Sequence, residues 1–426
     1  MRVAGALAAL LAAAGAPAGP WADAAQAGPT QTTLQRFAAA NPGTGALIWR
    51  LDEGEPVVVA SVRPDVPRIP ASNMKLVTAA GALLQMGTDY RYTTRLATTA
   101  RARIVGGELR GPLYLMGAGD PLLATRAYAA RHLPDTATPL GDLVRPLRAA
   151  GVRRVRGPVV ADESLFDERR EGDRWLSHYH LYSQPLGALS VNQSYAGNRR
   201  GGDESRSPAR TAGLRLRAAL RGVHIPQRGG VRTGITPRNV RVLTGVRSAP
   251  LPAVVREMNV PSDNFVAEMV LKSIGVHGLG QGTSAAGADR TAQLLEARGI
   301  LTGRERLVDG SGLSRANRLT PTALVRLIAA ADADPDWGRA LISSLPRGGQ
   351  GTLANRFRPK ALARRVRAKT GFINGASGLS GRAVSRGGHR YAFSLLMNTE
   401  RTSQARAVQD RVVALLVAGH EDPDRD

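Results

Sequence analysis

Pro70-Ala71-Ser72-Asn73-Met74-Lys75-Leu76-Val77-Thr78-Ala79-Ala80 is the stretch on which the reading of this chain turns. Leu76, Ala79, Ala80, Leu83 and Leu84 recur at helical spacing, so the pattern predicts a helix over 72–86. Residues three apart on a helix share a face, which brings the Ser72 hydroxyl within reach of the Lys75 amine. Serine is a poor nucleophile until an adjacent base takes its proton. An ordinary lysine is protonated and cannot serve; desolvation and a second nearby cation would lower its pKa. Backbone N–H groups at the start of the helix suit a developing oxyanion. Alone, this spacing is weak: a chain with four lysines (Lys75, Lys272, Lys360, Lys369) yields about 0.2 such matches by chance.

Two further motifs lie later in the chain. Ser262-Asp263-Asn264 comes after Pro261 and opens a helical run, where Ser or Asp could simply cap the helix. In the functional reading, Ser262 relays a proton to a leaving amine, and Asn264 holds Lys75 and a substrate amide. Ser190-Val191-Asn192 is a competing match with less helical register around it. Lys369-Thr370-Gly371 lies on an expected strand. There lysine supplies charge for a substrate carboxylate, threonine a hydroxyl, and glycine room for a substrate backbone against the strand edge. Chance gives this tripeptide about 0.03 times in so lysine-poor a chain.

The order Ser-x-x-Lys, Ser-Asp-Asn, Lys-Thr-Gly is the set of the penicillin-recognising serine enzymes. With it, the chain resembles the D-alanyl-D-alanine carboxypeptidases of the class C, low-molecular-mass penicillin-binding proteins (peptidase family S13). Leu113-Tyr114-Leu115 with Gly117, Gly119, Asp120 and Pro121 is similar to a family signature. So are Asp309-Gly310-Ser311-Gly312-Leu313-Ser314, Ser344-Leu345-Pro346 and Gly378-Leu379-Ser380-Gly381. The long separation of Lys75 from Ser262 leaves room for extra domains that compact β-lactamases lack. The resemblance implies an α/β (α+β) penicillin-binding, β-lactamase-like transpeptidase domain, an antiparallel sheet flanked by helices, with a large β-rich insert. It implies cleavage of peptidoglycan stem peptides through an acyl-enzyme on Ser72, and covalent capture of β-lactams, with no metal or cofactor. Lys75, Ser262, Asn264 and Lys369 complete the expected catalytic set; Thr370, Gly371 and Phe372 bind substrate. Phe372 stands where the family often has Ser or Thr, so a side-chain hydroxyl is missing, while its backbone N–H can still join that of Ser72 in an oxyanion hole. A non-catalytic wall-binding homologue and a related serine β-lactamase or esterase are the alternative readings.

Composition sets the frame. The chain has 426 residues, with hydrophobic residues at 43% and charged ones at 22%, which excludes wholesale disorder. Cysteine is absent, which excludes a thiol nucleophile and disulfides. The net charge of +24 is almost all arginine and suits anionic wall polymers. No dense basic block or recognition motif accompanies it, so nucleic acid is not expected. Met1-Arg2, the Leu7–Ala14 run and the small residues at 22–27 have the layout of a secretory leader over 1–27. No later run is long enough for a transmembrane anchor. The expectation is an exported protein, periplasmic or extracellular and associated with the wall.

Residues 28–91 and 251–426 are expected to form the catalytic domain, with a hairpin at 45–62, strands at 367–371, 376–384 and 391–397, and a closing helix at 402–418. Residues 92–250 read as the insert, with a polar loop at 198–210. Gly278, Gly280 and Gly282 come after a helix rather than a strand, against a dinucleotide site. His178 and His180 lack a third ligand at metal spacing. Asp120 is expected to cap a turn, and Ser311 to be structural.

Overall fold

The computed structural model describes residues 28–423 except Glu53; the expected leader lies outside the described residues. The chain divides into two compact units. One comprises residues up to 88, 255–263 and 288 onward; the other comprises 89–254 and 264–287.

In the first unit a hairpin of strands Thr44–Arg50 and Val57–Val62 is completed by three strands from the far end of the chain. The order is Val366–Ile373, Ala376–Val384, Arg390–Met397, Thr44–Arg50, Val57–Val62, and every neighbouring pair is antiparallel. Side chains alternate across a strand. Tyr391, Phe393, Leu395 and Met397 accordingly face one way, packing with Leu34 of helix Pro29–Ala40 and with Val412, Val413 and Leu416 of helix Thr402–Ala418. Helix Pro321–Ala333 packs against Arg390–Met397 and Thr44–Arg50. From its end, Asp332 lies 2.7 Å from both Arg382 Nε and Arg390 Nη1, and its side chain is only 6% exposed. Asp332→Ala would leave two partly exposed guanidiniums facing each other with no carboxylate between them. It is expected to cost about 1–2 kcal/mol, read as a lower urea midpoint at unchanged m value.

The expected antiparallel sheet flanked by helices is therefore present. One edge of this sheet borders the Ala71–Asn73 turn. Strand Val366–Ile373 is an end strand, and its open side is covered at its start by the segment Pro346-Arg347. Arg347 bridges to Arg367, and Ala368 N donates to Pro346 O at 3.2 Å. Beyond Ala368 no strand pairs with that side among the described residues.

The second unit has its own sheet, ordered Val231–Thr233, Val159–Asp162, Leu113–Met116, Thr93–Thr99, Val240–Arg247, with parallel and antiparallel pairs mixed. Small sheets Arg103–Val105, Glu108–Arg110, Arg154–Val155 and Leu123–Ala124, Thr138–Pro139 accompany it. Its core gathers Leu96, Leu113, Leu115, Val159 and Ala161 with Ala209, Ala212, Leu216 and Leu220. The last four lie on helix Pro208–Gly222, which starts inside the segment read from sequence as a polar loop. Arg210, Arg215, Arg217 and Arg221 hide its apolar face from a composition reading, although that face repeats at the spacing a helix needs.

Candidate active site

Ser72 sits in a single 3-10 turn, Ala71–Asn73, that runs directly into helix Met74–Met86. Ala71 has φ +48°, a left-handed conformation unusual for a residue with a Cβ. The surroundings enforce it. Ala71 is fully buried beside Ile373 and Ala376. A Cβ on Gly312 would lie 1.9 Å from the Ala71 carbonyl oxygen. Asn73 is buried as well, and its amide lies over Gly371 and Gly378, which are cross-strand partners. A Cβ on either would come within 2.6 Å and 2.3 Å of Asn73 Nδ2 respectively. Two facing glycines thus let the Ala71–Asn73 turn rest directly on the sheet.

One helical turn on, Lys75 is fully buried. Its Nζ donates to Ser72 Oγ at 3.2 Å and to the Ser311 carbonyl at 2.7 Å. The loop that presents this carbonyl is tied by Asp309. Asp309 Oδ1 accepts from Gly312 N at 2.8 Å and Asn317 Nδ2 at 2.7 Å, and Oδ2 from Ser314 N at 2.6 Å. Thr78 Oγ1 donates to Gly310 O at 2.8 Å and fastens the same loop to the helix.

Lys369 projects from the edge strand and is also fully buried. Its Nζ donates to Ser262 Oγ at 2.8 Å and to Thr370 O at 3.0 Å. No carboxylate pairs with it among the described residues. Burial, and then the charge of Lys75, hold its pKa well below the ordinary lysine value. Ser262 has φ +63° where the chain leaves helix Leu251–Asn259, with Asp263 N bonded to Met258 O at 2.9 Å. Ser72, Lys75, Ser262 and Lys369 are therefore linked within one unit by two short hydrogen bonds and one charge–charge repulsion.

The model of the D-Ala-D-Ala carboxypeptidase 3 (S13) family matches residues 37–199 and 200–418. The chain belongs to that family. This S13 enzyme is a serine-type D-Ala-D-Ala carboxypeptidase. It is 30% identical to the D-alanyl-D-alanine carboxypeptidase of Actinomadura sp. (strain R39), over 89% of this chain and 81% of the relative. Its fold matches the crystal structure of penicillin binding protein 4 (dacB) from Haemophilus influenzae, with TM-score 0.74 at 20% identity over 90% of this chain and 99% of that one. The same Haemophilus protein complexed with a β-lactam matches at TM-score 0.70, also at 20% identity over 90% and 99%.

In the S13 enzyme, strand alternation puts Gly371 on the face of Lys369, and Thr370 and Phe372 on the opposite one. Phe372 is half-exposed, and the Arg406 guanidinium lies 4.4 Å over its ring. Asn264 opens helix Asn264–Leu279 in the second unit, where Nδ2 donates to Tyr182 O at 2.9 Å. The competing match is tied up locally: Ser190 Oγ donates to Gly187 O at 2.9 Å, and Asn192 Oδ1 accepts from Thr125 N at 2.8 Å. Asp120 accepts from Leu122 N at 2.9 Å, the expected turn, and burial pushes its carboxyl up to about 6. Sequence reading leaves out the part played by the Ser311 carbonyl. A backbone oxygen has no residue signature, and the only available signal is the recurrence of Asp309–Ser314 beside the three motifs.

Proposed function

We propose that the first unit cleaves D-Ala-D-Ala stem peptides of peptidoglycan by acyl transfer to Ser72. The contact of the fully buried Lys75 Nζ with Ser72 Oγ carries this reading. The substrate would lie along the edge of Val366–Ile373 beyond Ala368. Ala368 N points outward, so with a period of two the N–H groups of Thr370 and Phe372 point outward too. That supports the Phe372 N–H, with that of Ser72, as donors to the oxyanion. Lys369 attracts the terminal carboxylate, with the outward N–H of Thr370 at the same strand edge, and Gly371 keeps the strand flat against the Ser72 turn.

In the forward step Lys75, uncharged, accepts the Ser72 proton while Oγ bonds to the penultimate D-Ala carbonyl carbon. The C–N bond then breaks. The departing D-Ala amine takes the proton held by Lys75, relayed through Ser262, leaving an ester on Ser72 and Lys75 uncharged again. Water attacks that ester, its proton returns to the Ser72 oxygen, and the shortened peptide leaves. A β-lactam would open on Ser72 by the same first step and stay attached. Export and action at the wall, with anionic wall polymers as further partners, complete the proposal. Among the described residues no helix is long and apolar enough to cross a membrane.

The test is penicillin adduct mapping with muropeptide digestion. The penicillin mass should fall on the tryptic peptide carrying Ser72, and pentapeptides should lose a single D-Ala. An adduct on another residue, or no adduct with no product, refutes the assignment; cleavage of cross-linked dimers would add an endopeptidase action. Gly371→Ala gives a graded check. Its Cβ would press on Asn73 Nδ2 at 2.6 Å and on the Pro70 carbonyl oxygen at 2.7 Å. We expect acylation to slow about 10–100-fold with thermal stability lowered by no more than about 2 kcal/mol, since a displacement near 1 Å at a reacting atom has that effect.

A further inference from the structure

A second feature of the first unit lies apart from Ser72 and shares no residue with the three motifs. Lys360, Ala361, Arg364, Arg365, Val384 and Arg386 line an open concavity of about 830 Å³. Four of the six are cationic and none is acidic. Their positions come from two directions: the short helix Lys360–Ala363 with the residues after it, and the turn that succeeds strand Ala376–Val384. The backbone beneath is firmly held. Val384 N donates to Arg365 O at 2.9 Å, and Arg386 N to Val417 O at 2.9 Å. Arg365 Nη1 donates to Ser385 O, while Lys360, Arg364 and Arg386 are exposed. No ion pair involves any of the four among the described residues. Elsewhere in the unit arginines do find carboxylates, as Arg390 does with Asp332 and Arg356 with Asp410.

The basic surface continues from the concavity along the sheet edge. Arg347 bridges to Arg367, whose pKa falls to about 10 through burial and then through Arg347, Arg256 and Arg382. A strand advances about 3.3 Å per residue, so Arg365 stands about 13 Å from Lys369 along Val366–Ile373.

We propose that this concavity binds a linear phosphodiester polyanion. Guanidiniums match phosphate oxygens in a bidentate fork, and a tetrahedral phosphate accepts such forks from more than one direction, whereas a carboxylate accepts them in its plane. The space exceeds that needed by one phosphate, and the cations continue beyond it. The ligand would hold the enzyme on an anionic polymer with the catalytic strand edge close to the point of attachment. This site stands independently of the acyl-transfer reading.

The test uses the full chain and a poly(glycerol phosphate) oligomer, with calorimetry at several salt concentrations. The triple variant Lys360→Gln, Arg364→Gln, Arg386→Gln is compared with Arg36→Gln, Arg304→Gln, Arg339→Gln, which removes the same charge from exposed positions elsewhere. The concavity variant should bind at least tenfold more weakly, with a salt slope shallower by about 2, as loss of two to three phosphate contacts predicts. The control should stay within twofold, and penicillin acylation should be unchanged in both. Equal losses in the two variants would reduce the effect to net charge and overturn the site. Equally tight binding of inorganic phosphate would overturn the polymer, and of poly-glutamate the phosphodiester. Binding to phosphatidylglycerol vesicles but not to the oligomer would overturn it in favour of a lipid surface. Because binding and acylation are read separately, failure here leaves the catalytic assignment untouched, and the reverse holds.

Discussion

Ser72→Ala is expected to lower peptide hydrolysis by at least about 10⁴-fold and to leave no penicillin adduct, while the denaturation midpoint barely moves. On the proposed acyl-transfer reading the loss is large because the Ser72 hydroxyl is the atom to be acylated, and nothing else on the Ala71–Asn73 turn can replace it. Lys75→Met should lose activity to a similar degree, since methionine fills the same volume and accepts no proton. The double variant should be little worse than either single one, because residues that act as a unit do not contribute additively. Stopped-flow acylation by a chromogenic cephalosporin measures all three. A Lys75→Met protein that acylates within tenfold of wild type would remove Lys75 from the role of base.

The second large effect concerns Lys369. Lys369→Met is expected to reduce kcat/KM for the peptide by about 10²–10³-fold, mainly through KM, because on the proposed reading the buried amine takes up a proton as the substrate carboxylate arrives, and the charge-assisted contact formed in that complex is lost. The same substitution should alter stability in a recognisable way. The pKa of Lys369 is depressed in the folded protein by burial and by Lys75. Between that depressed value and the ordinary lysine value, the unfolded chain binds a proton that the folded one does not. Stability therefore rises with pH across that window, by at most about 1.4 kcal/mol per pH unit, and is lost again as the pH falls through the folded pKa. Lys369→Met should abolish that slope and be the more stable protein at neutral pH, a trade of stability for function. Urea titrations at intervals from pH 6 to 10 decide it; a slope unchanged in the variant would show that some other group titrates.

Much of the first unit is legible in its residues alone. Tyr391, Phe393, Leu395 and Met397 alternate as a half-covered strand must, and Leu76 to Leu84 repeat as a buried helix does. Two of the three motifs are legible because lysine is so scarce here that Lys75 and Lys369 stand out, and the third is legible through its order between them. Geometry made by backbone is not legible. The Ser311 carbonyl, the left-handed Ala71 and Ser262, and the covering of the strand edge by Pro346-Arg347 depend on where distant segments meet. Helix Pro208–Gly222 escapes a sequence reading because its arginines outweigh a narrow stripe of small and leucine side chains. The placement of Asn264 in the second unit cannot be read from a motif in which Ser262 and Asn264 are two residues apart.

The pairing of Thr44–Arg50 with Arg390–Met397 joins segments from opposite ends of the chain. During synthesis the early hairpin must wait, with one flank bare, until residues 390–397 have been translated. Non-local pairing of this kind slows folding and prolongs exposure to self-association. Premature termination anywhere before residue 390 would therefore forfeit the middle of the sheet rather than trim its margin, and such truncated chains should be found only as aggregates or as substrates of quality-control proteases.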